Sequence, residues 1–337
     1  MNAAELPKVL LHDHLDGGLR PQTVIELASR MGHVLPETEP GRLAAWFDQR
    51  DSGSLEKYLE SFTHTVGVLQ DAGALRRAAR EAAADLAADN VVYGEIRFAP
   101  SLHKNVTPAA AIAAVAEGLR EGSAGTYFEF GLIVVAMREQ DDSETVASAA
   151  IRMRDLGVVG FDLAGPERGF PPTDHIRACQ KALEGGLGLT IHAGEAAGVD
   201  SIRLAVECGA QRLGHGVEII EDCRIEDDVI VDLGSTAQVV HERQIPLEVC
   251  PWSNLATKQW SPAQHPIGML HRAGFIITVN TDNRLMSRTS MTKEMELCVS
   301  HQGFSTTDLR TVTLQEIEAA FCPEDVKQRL AARLDPS

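Results

Sequence analysis

The sequence predicts an α/β protein built as a closed (β/α)8 TIM barrel, and three observations carry that expectation. Short apolar, β-branched runs recur eight times along the chain, helical patterns separate most of them, and the runs end in polar or Gly-rich tips. Strands that alternate with helices call for βαβ units and a parallel sheet. Eight such strands make a closed barrel the best solution.

Taken in order, the strand runs are Val9–His12, Val91–Phe98, Phe128–Met137, Gly157–Gly165, Leu189–Glu195, the shorter Arg212–Gly216, Pro246–Cys250 and Phe275–Asp282. Helical stretches cover Ala74–Ala88, Ala109–Glu121, Ser143–Leu156, Thr173–Gly185 and Ser201–Cys208. Glu218–Glu242 reads as a short helical or irregular piece with a small hairpin. Residues 21–68 are too long for one crossover, so they read as a helical insertion after strand 1: Pro21–Met31, Leu43–Phe47 and Ser54–Leu69. In the last of these, Leu55, Tyr58, Leu59 and Phe62 share one face at helical spacing. Packing against the barrel is the plainer expectation for that face; an apolar lid over a pocket is the sharper one. Thr306–Leu334 adds amphipathic C-terminal helices outside the barrel count. No repeat or second domain is evident, so residues 1–337 are expected to form a single barrel domain.

At 337 residues the chain is long for one domain but ordinary for a barrel. Its formal net charge of −17 weighs against nucleic acid or an anionic membrane as a partner, since both need a basic surface. Met1–Lys8 lacks the apolar segment of a signal peptide. The longest apolar runs, such as Gly131–Met137, are too short to span a bilayer. The six cysteines contain no Cys-x-x-Cys pair and are expected to be reduced. A cytoplasmic protein with a small-molecule ligand is the expectation; oligomeric state is not legible.

Barrel active sites form at the C-terminal ends of the strands. There the first run supplies His12, His14 and Asp16, the fifth His192 and Glu195, the sixth His215 and the eighth Asp282. Side chains alternate along a strand, so His12 and His14 face the same way, and Asp16 with them if the chain stays extended. A lone His-x-His is a weak signal; ligand-type residues at four separate tips are a strong one. His12, His14, His192 and Asp282 suffice for one zinc with a position left for water. Zinc lowers the pKa of that water toward neutrality. Glu195 can then act as general acid/base, and His215 as a fifth ligand or an orienting group. The fourth run ends Asp162-Leu163-Ala164-Gly165 with no Lys for a bridging carbamate, which favours a single metal.

The set Leu-His-x-His-Leu-Asp-Gly (11–17), Val-Val-Tyr-x-Glu-Ile-Arg-Phe (91–98), Phe-Asp-Leu-Ala-Gly (161–165), Ile-His-Ala-Gly-Glu (191–195), Arg-Leu-Gly-His-Gly (212–216) and Val-Asn-Thr-Asp (279–282) resembles the adenosine deaminase family of metal-dependent hydrolases. The resemblance runs from about Pro7 to Met291 with the motifs in order. It implies that His12, His14, His192 and Asp282 hold one Zn2+ per chain. It implies further that Glu195 protonates purine N1 as hydroxide attacks C6, and that His215 positions the hydroxide. Gly165 would bond the purine edge through its backbone, and Asp16, beside His14, would bind the ribose 5′-hydroxyl. Leu55, Tyr58, Leu59 and Phe62 would be the family's apolar lid. The reaction would convert adenosine, and 2′-deoxyadenosine, to inosine and ammonia in purine salvage. The other zinc deaminase signature, His-x-Glu with Pro-Cys-x-x-Cys, is absent.

Two positions depart from the pattern. Asn283 stands where many members carry a second Asp facing purine N7. An amide donates without needing a proton, so purine binding is expected to survive with a changed pH dependence. Asp13 stands where an apolar residue is common, and it needs a polar partner, expected among the outer helices. The alternative substrates are free adenine and aminodeoxyfutalosine. Adenine deaminases tend to carry Glu in place of Asp16. No basic cluster near the tips would clamp the phosphate of AMP. A catalytically dead barrel is the reading from another class, opposed by the complete ligand set. Glu95 and Arg97 are expected to give support through pairing inside the barrel mouth, and Pro251–Asn254 to line the pocket or make a turn. Arg284 has no derivable role. His33, His64, His103, His175, His241, His265, His271 and His301 are expected to be surface or structural.

Overall fold

The computed structural model describes residues 3–334. Strands β1 (Lys8–His14), β2 (Val91–Phe98), β3 (Glu129–Met137), β4 (Val158–Ala164), β5 (Gly188–Ala193) and β6 (Arg212–His215) precede a hairpin of β7 (Cys223–Glu226) and β8 (Val229–Leu233); β9 (Leu247–Val249) and β10 (Ile277–Val279) complete the set. All but the hairpin form one parallel sheet in the order β1-β2-β3-β4-β5-β6-β9-β10. The ring closes through a parallel bridge between Asp13 and Asp282. The His14 N–H donates to the Asp282 carbonyl at 2.8 Å, and the Asp282 N–H to the His12 carbonyl at 3.0 Å. Closure therefore sets the end of β1 against the residue that follows β10. Helices coat the outside and bury a continuous apolar layer against the strands.

The expected eight-stranded barrel, the helical insertion and the small hairpin are all present. The differences are local. The helix expected over Ser54–Leu69 is two helices, Leu55–Glu60 and Phe62–Val68. The Ser61 hydroxyl donates to the Tyr58 carbonyl at 2.9 Å, the local bonding by which serine competes with a helix. Pro251–Asn254 neither line the cavity nor end in a simple turn: they begin the helix Pro251–Lys258. The tail splits into Thr306–Ala319 and Glu324–Leu334 around Pro323. Between them the chain crosses the N-terminal end of the barrel, with the Arg212 guanidinium 3.7 Å from the Phe321 ring centre. Among the described residues no helix is long and apolar enough to cross a membrane.

The barrel interior is charged. Arg97 and Arg212 are fully buried there. Arg97 bonds Asp162 at 2.8 Å and Glu248 at 2.7 Å; Arg212 bonds Glu95 and Glu248, each at 2.6 Å. The support expected of Glu95 and Arg97 takes this form, with strand-to-strand ion pairs below the mouth. Asp13 corrects its expectation. Its partners are Arg284 Nε at 2.8 Å and the Thr281 hydroxyl at 2.7 Å, both in the segment after β10 and not on an outer helix. The closing bridge brings that segment alongside, which gives Arg284 the role the sequence withheld.

Candidate metal centre and active site

His12 and His192 arrive with their tautomers set. His12 Nδ1 lies 2.9 Å from Glu248 Oε2, and His192 Nδ1 lies 3.1 Å from Asp162 Oδ1. Ionised carboxylates only accept, so each ring carries a proton on Nδ1 and turns Nε2, the atom left to bind a cation, into the barrel mouth. Both carboxylates are ionised. Burial works to raise Asp162, but His192 and Arg97 bring it down to about 2. Burial likewise opposes ionisation of Glu248, and the guanidiniums of Arg97 and Arg212 hold it well below the usual range.

Asp282 is oriented in the same way. The Ser253 hydroxyl donates to Oδ2 at 2.5 Å, leaving Oδ1 3.4 Å from His12 Nε2 and 3.5 Å from His14 Nε2. His14 Nε2 lies 3.2 Å from His192 Nε2. Ligand atoms of His12, His192, His215 and Asp282 all fall within 4.8 Å of one another. The expected ligands and His215 thus converge on one point. Asp282 and His215 hold positive φ angles of 54° and 61°, a conformation uncommon for residues other than glycine and enriched at functional sites. A divalent cation fits here. The His12 Nε2 atom is buried with no partner, and nitrogen and carboxylate donors are what zinc takes.

Glu195 sits beside this cluster, its Oε2 3.5 Å from His215 Nε2. Its backbone is braced by Glu167, whose carboxylate accepts the N–H groups of Glu195, Ala196 and Ala197 at 3.1, 3.2 and 2.9 Å. Burial, reinforced by the charges of Asp282 and Glu167, pushes the Glu195 carboxyl well above the ordinary range. That shift favours its protonated form.

A cavity of about 230 Å³ opens over the cluster. Leu55, Tyr58, Leu59 and Phe62 all line it, as do His14, Asp16, Gly165, Glu195, His215, Asp282 and Asn283. No Lys or Arg lines it among the described residues. Oδ1 of Asp16 and Oδ1 of Asn283 are buried with no hydrogen-bond partner. Burial brings the Asp16 carboxyl up to about 7. A Cβ at Gly17 would lie 1.9 Å from Asn283 Oδ1, so only glycine leaves that amide its place.

Sequence reasoning missed Glu248 and Glu167, and gave Ser253 and Asn254 only as pocket lining or a turn. Glu248 had a readable signal: a carboxylate between Leu247 and Val249 in a buried strand must find internal partners. Glu167 had none, since a loop glutamate carries no pattern.

One further buried carboxylate tests the electrostatics. Glu294 accepts the Trp252 N–H at 3.0 Å and so supports the helix that carries Ser253. Burial brings its carboxyl from 4.5 up to about 8. Between those values the native state binds more protons than the unfolded chain, so this group's contribution to stability falls as pH rises. Glu294→Gln is expected to stabilise the protein at pH 8, on the order of a few kcal/mol, with the gain fading toward pH 5. Urea unfolding at the two pH values measures this; a gain of equal size at both would contradict the assignment.

The family model described as adenosine deaminase matches residues 7–337. The chain is 51% identical over 336 residues to adenosine deaminase 1 of Streptomyces coelicolor, covering 96% of this chain and 84% of that one. Among solved structures, adenine deaminase from Arthrobacter aurescens superposes with a TM-score of 0.85 at 26% identity, covering 98% of each chain. An amidohydrolase from Burkholderia ambifaria with bound Zn also gives 0.85 at 26% identity, covering 99% of this chain and 91% of that one. With a match that spans nearly the whole chain and a relative sharing half its residues, this protein belongs to the adenosine deaminase family, hydrolases of C–N bonds.

Proposed function

We propose that this chain hydrolyses adenosine, and 2′-deoxyadenosine, to inosine and ammonia with one Zn2+ per chain. The observation that carries the reading is the convergence of histidines and Asp282 beside the buried Glu195, whose carboxyl burial pushes up, at one end of a cavity that no Lys or Arg lines among the described residues. A nucleotide would bring a phosphate that this lining leaves uncompensated, so a nucleoside is the better fit.

His12, His14, His192 and Asp282 would hold the cation, which supplies Lewis acidity that lowers the pKa of water toward neutrality. Glu195 gives its proton to N1 of the purine, which makes C6 electrophilic. Water adds to C6; one of its protons restores Glu195 and the other passes to N6, so that the C6–N6 bond breaks, the C6 oxygen becomes a carbonyl and the amino group leaves as ammonia. His215 faces the attacking oxygen. The Gly165 backbone and the Asn283 amide bond the purine edge, the latter at N7. The Asp16 carboxyl, whose Oδ1 has no partner, accepts the 5′-hydroxyl of the ribose. Leu55, Tyr58, Leu59 and Phe62 close over the sugar and base and keep bulk water out. Residues 1–337 would act as one barrel domain, in the cytoplasm and in purine salvage.

The test is an ammonia-release panel with adenosine, 2′-deoxyadenosine, 5′-deoxyadenosine, adenine and aminodeoxyfutalosine. Adenosine and its 2′-deoxy form should give the highest kcat/KM. Asp16→Ala should raise KM for adenosine about 10-fold or more, the value of a hydrogen bond to a charged group, and change 5′-deoxyadenosine much less. Preference for adenine or for aminodeoxyfutalosine would replace this substrate assignment.

A further inference from the structure

Behind His215 runs a buried chain of hydrogen bonds that begins at a donor whose direction is fixed. The Ile267 backbone N–H donates to His265 Nδ1 at 3.1 Å. A backbone amide can only donate, so His265 Nδ1 is bare and its proton sits on Nε2. That Nε2 lies 3.4 Å from Asn254 Oδ1. The Cys250 N–H approaches the same oxygen at 3.3 Å. Two donors on one side of the Asn254 amide fix which end is oxygen; a flipped amide would oppose N–H to N–H. The other end, Nδ2, therefore points its hydrogen at His215 Nδ1, 3.1 Å away. His265, Asn254 and His215 are 1%, 0% and 1% exposed, so solvent does not compete for these bonds.

We infer that Asn254, oriented by His265 and the Cys250 N–H, is a positioning residue that locks His215 as its Nε2–H tautomer. His215 then presents a donor, not a lone pair, to the cavity and to Glu195. Its arrangement is the reverse of His12 and His192, whose Nδ1 atoms face carboxylates and whose Nε2 lone pairs converge. The same residue type is thereby sorted into two roles. His12 and His192 offer lone pairs to a cation. His215 offers a hydrogen to the oxygen that attacks the purine, and it lies outside the ligand set although its ring nitrogen is close enough to join it. The catalytic part of this inference rests on the proposed deamination; the tautomer itself does not.

The test compares Asn254→Asp with Asn254→Ala. Asp is nearly isosteric and still accepts from Cys250 and His265, but its carboxylate can only accept from His215, which moves the proton to Nδ1. Ala removes the bond and leaves both tautomers open. A structural role alone makes Asp the milder change. The inference reverses that order: kcat for adenosine should fall by about 10–100-fold in Asn254→Asp, less in Asn254→Ala, with KM little changed in both. 15N spectra of histidine-labelled protein read the tautomer directly. The parent should give His215 with pyrrole-like Nε2 and pyridine-like Nδ1, and Asn254→Asp should exchange them. A parent protein with the His215 proton on Nδ1, or a kcat in Asn254→Asp at or above that of Asn254→Ala, would overturn the assignment. If Asn254→Asp does not fold, the parent spectrum still decides. Nε2–H in a parent inactive on every 6-aminopurine would sink the deamination and leave the tautomer standing.

Discussion

Glu195→Gln is expected to lower kcat on adenosine by about 10²–10⁴-fold, the range for loss of a positioned general acid, while the cation stays bound. Glutamine matches the shape of the protonated carboxyl and keeps the backbone brace from Glu167, which contacts the Glu195 N–H and not its side chain. What it lacks is a proton it can give to N1 and take back. KM should change little. The decisive measurement pairs steady-state kinetics with the metal content of the purified variant. A kcat within tenfold of the parent, in protein with full metal occupancy, would move the proton-donating role elsewhere. The parent's pH profile belongs to the same argument. In the proposed reaction Glu195 acts in its protonated form, and burial beside two carboxylates raises its affinity for that proton. kcat should therefore persist through neutrality and fall on the alkaline side.

The second large effect lies below the site. Glu248→Ala should destabilise the fold by about 3–5 kcal/mol, the cost of removing one partner from buried ion pairs, and should also abolish cation retention. Glu248 is bonded at once to Arg97, Arg212, Thr190 and His12. Without it two fully buried guanidiniums lose a shared counter-charge, and His12 loses the acceptor that keeps its Nε2 bare. Urea unfolding and metal content measure the two halves separately. A variant that unfolds earlier yet keeps its cation at parental affinity would show that His12 does not depend on Glu248 for its tautomer.

Asp13 and Arg284 illustrate where sequence reading stopped. That Asp13 needed a partner followed from its place in an apolar strand, but the partner is 271 positions away and meets it only because the barrel closes there. Glu248 is similar: its burial was readable, its four partners were not. The broken helix of the insertion is a smaller case, since the Ser61 hydroxyl tips a balance that spacing alone left helical.

By itself the sequence determined the order of strands and helices, the identity of the ligand-type residues at the strand tips, and the apolar face of the inserted helices. These follow from local periodicity and from the alternation that places every second side chain on the same face. Only the tertiary structure decided which nitrogen of each histidine faces the cavity, and which carboxyl groups are pushed toward the ionised form and which toward the protonated one. Those properties depend on partners contributed by other strands across the barrel, and on how far each group is removed from water, neither of which is encoded in neighbouring positions of the chain.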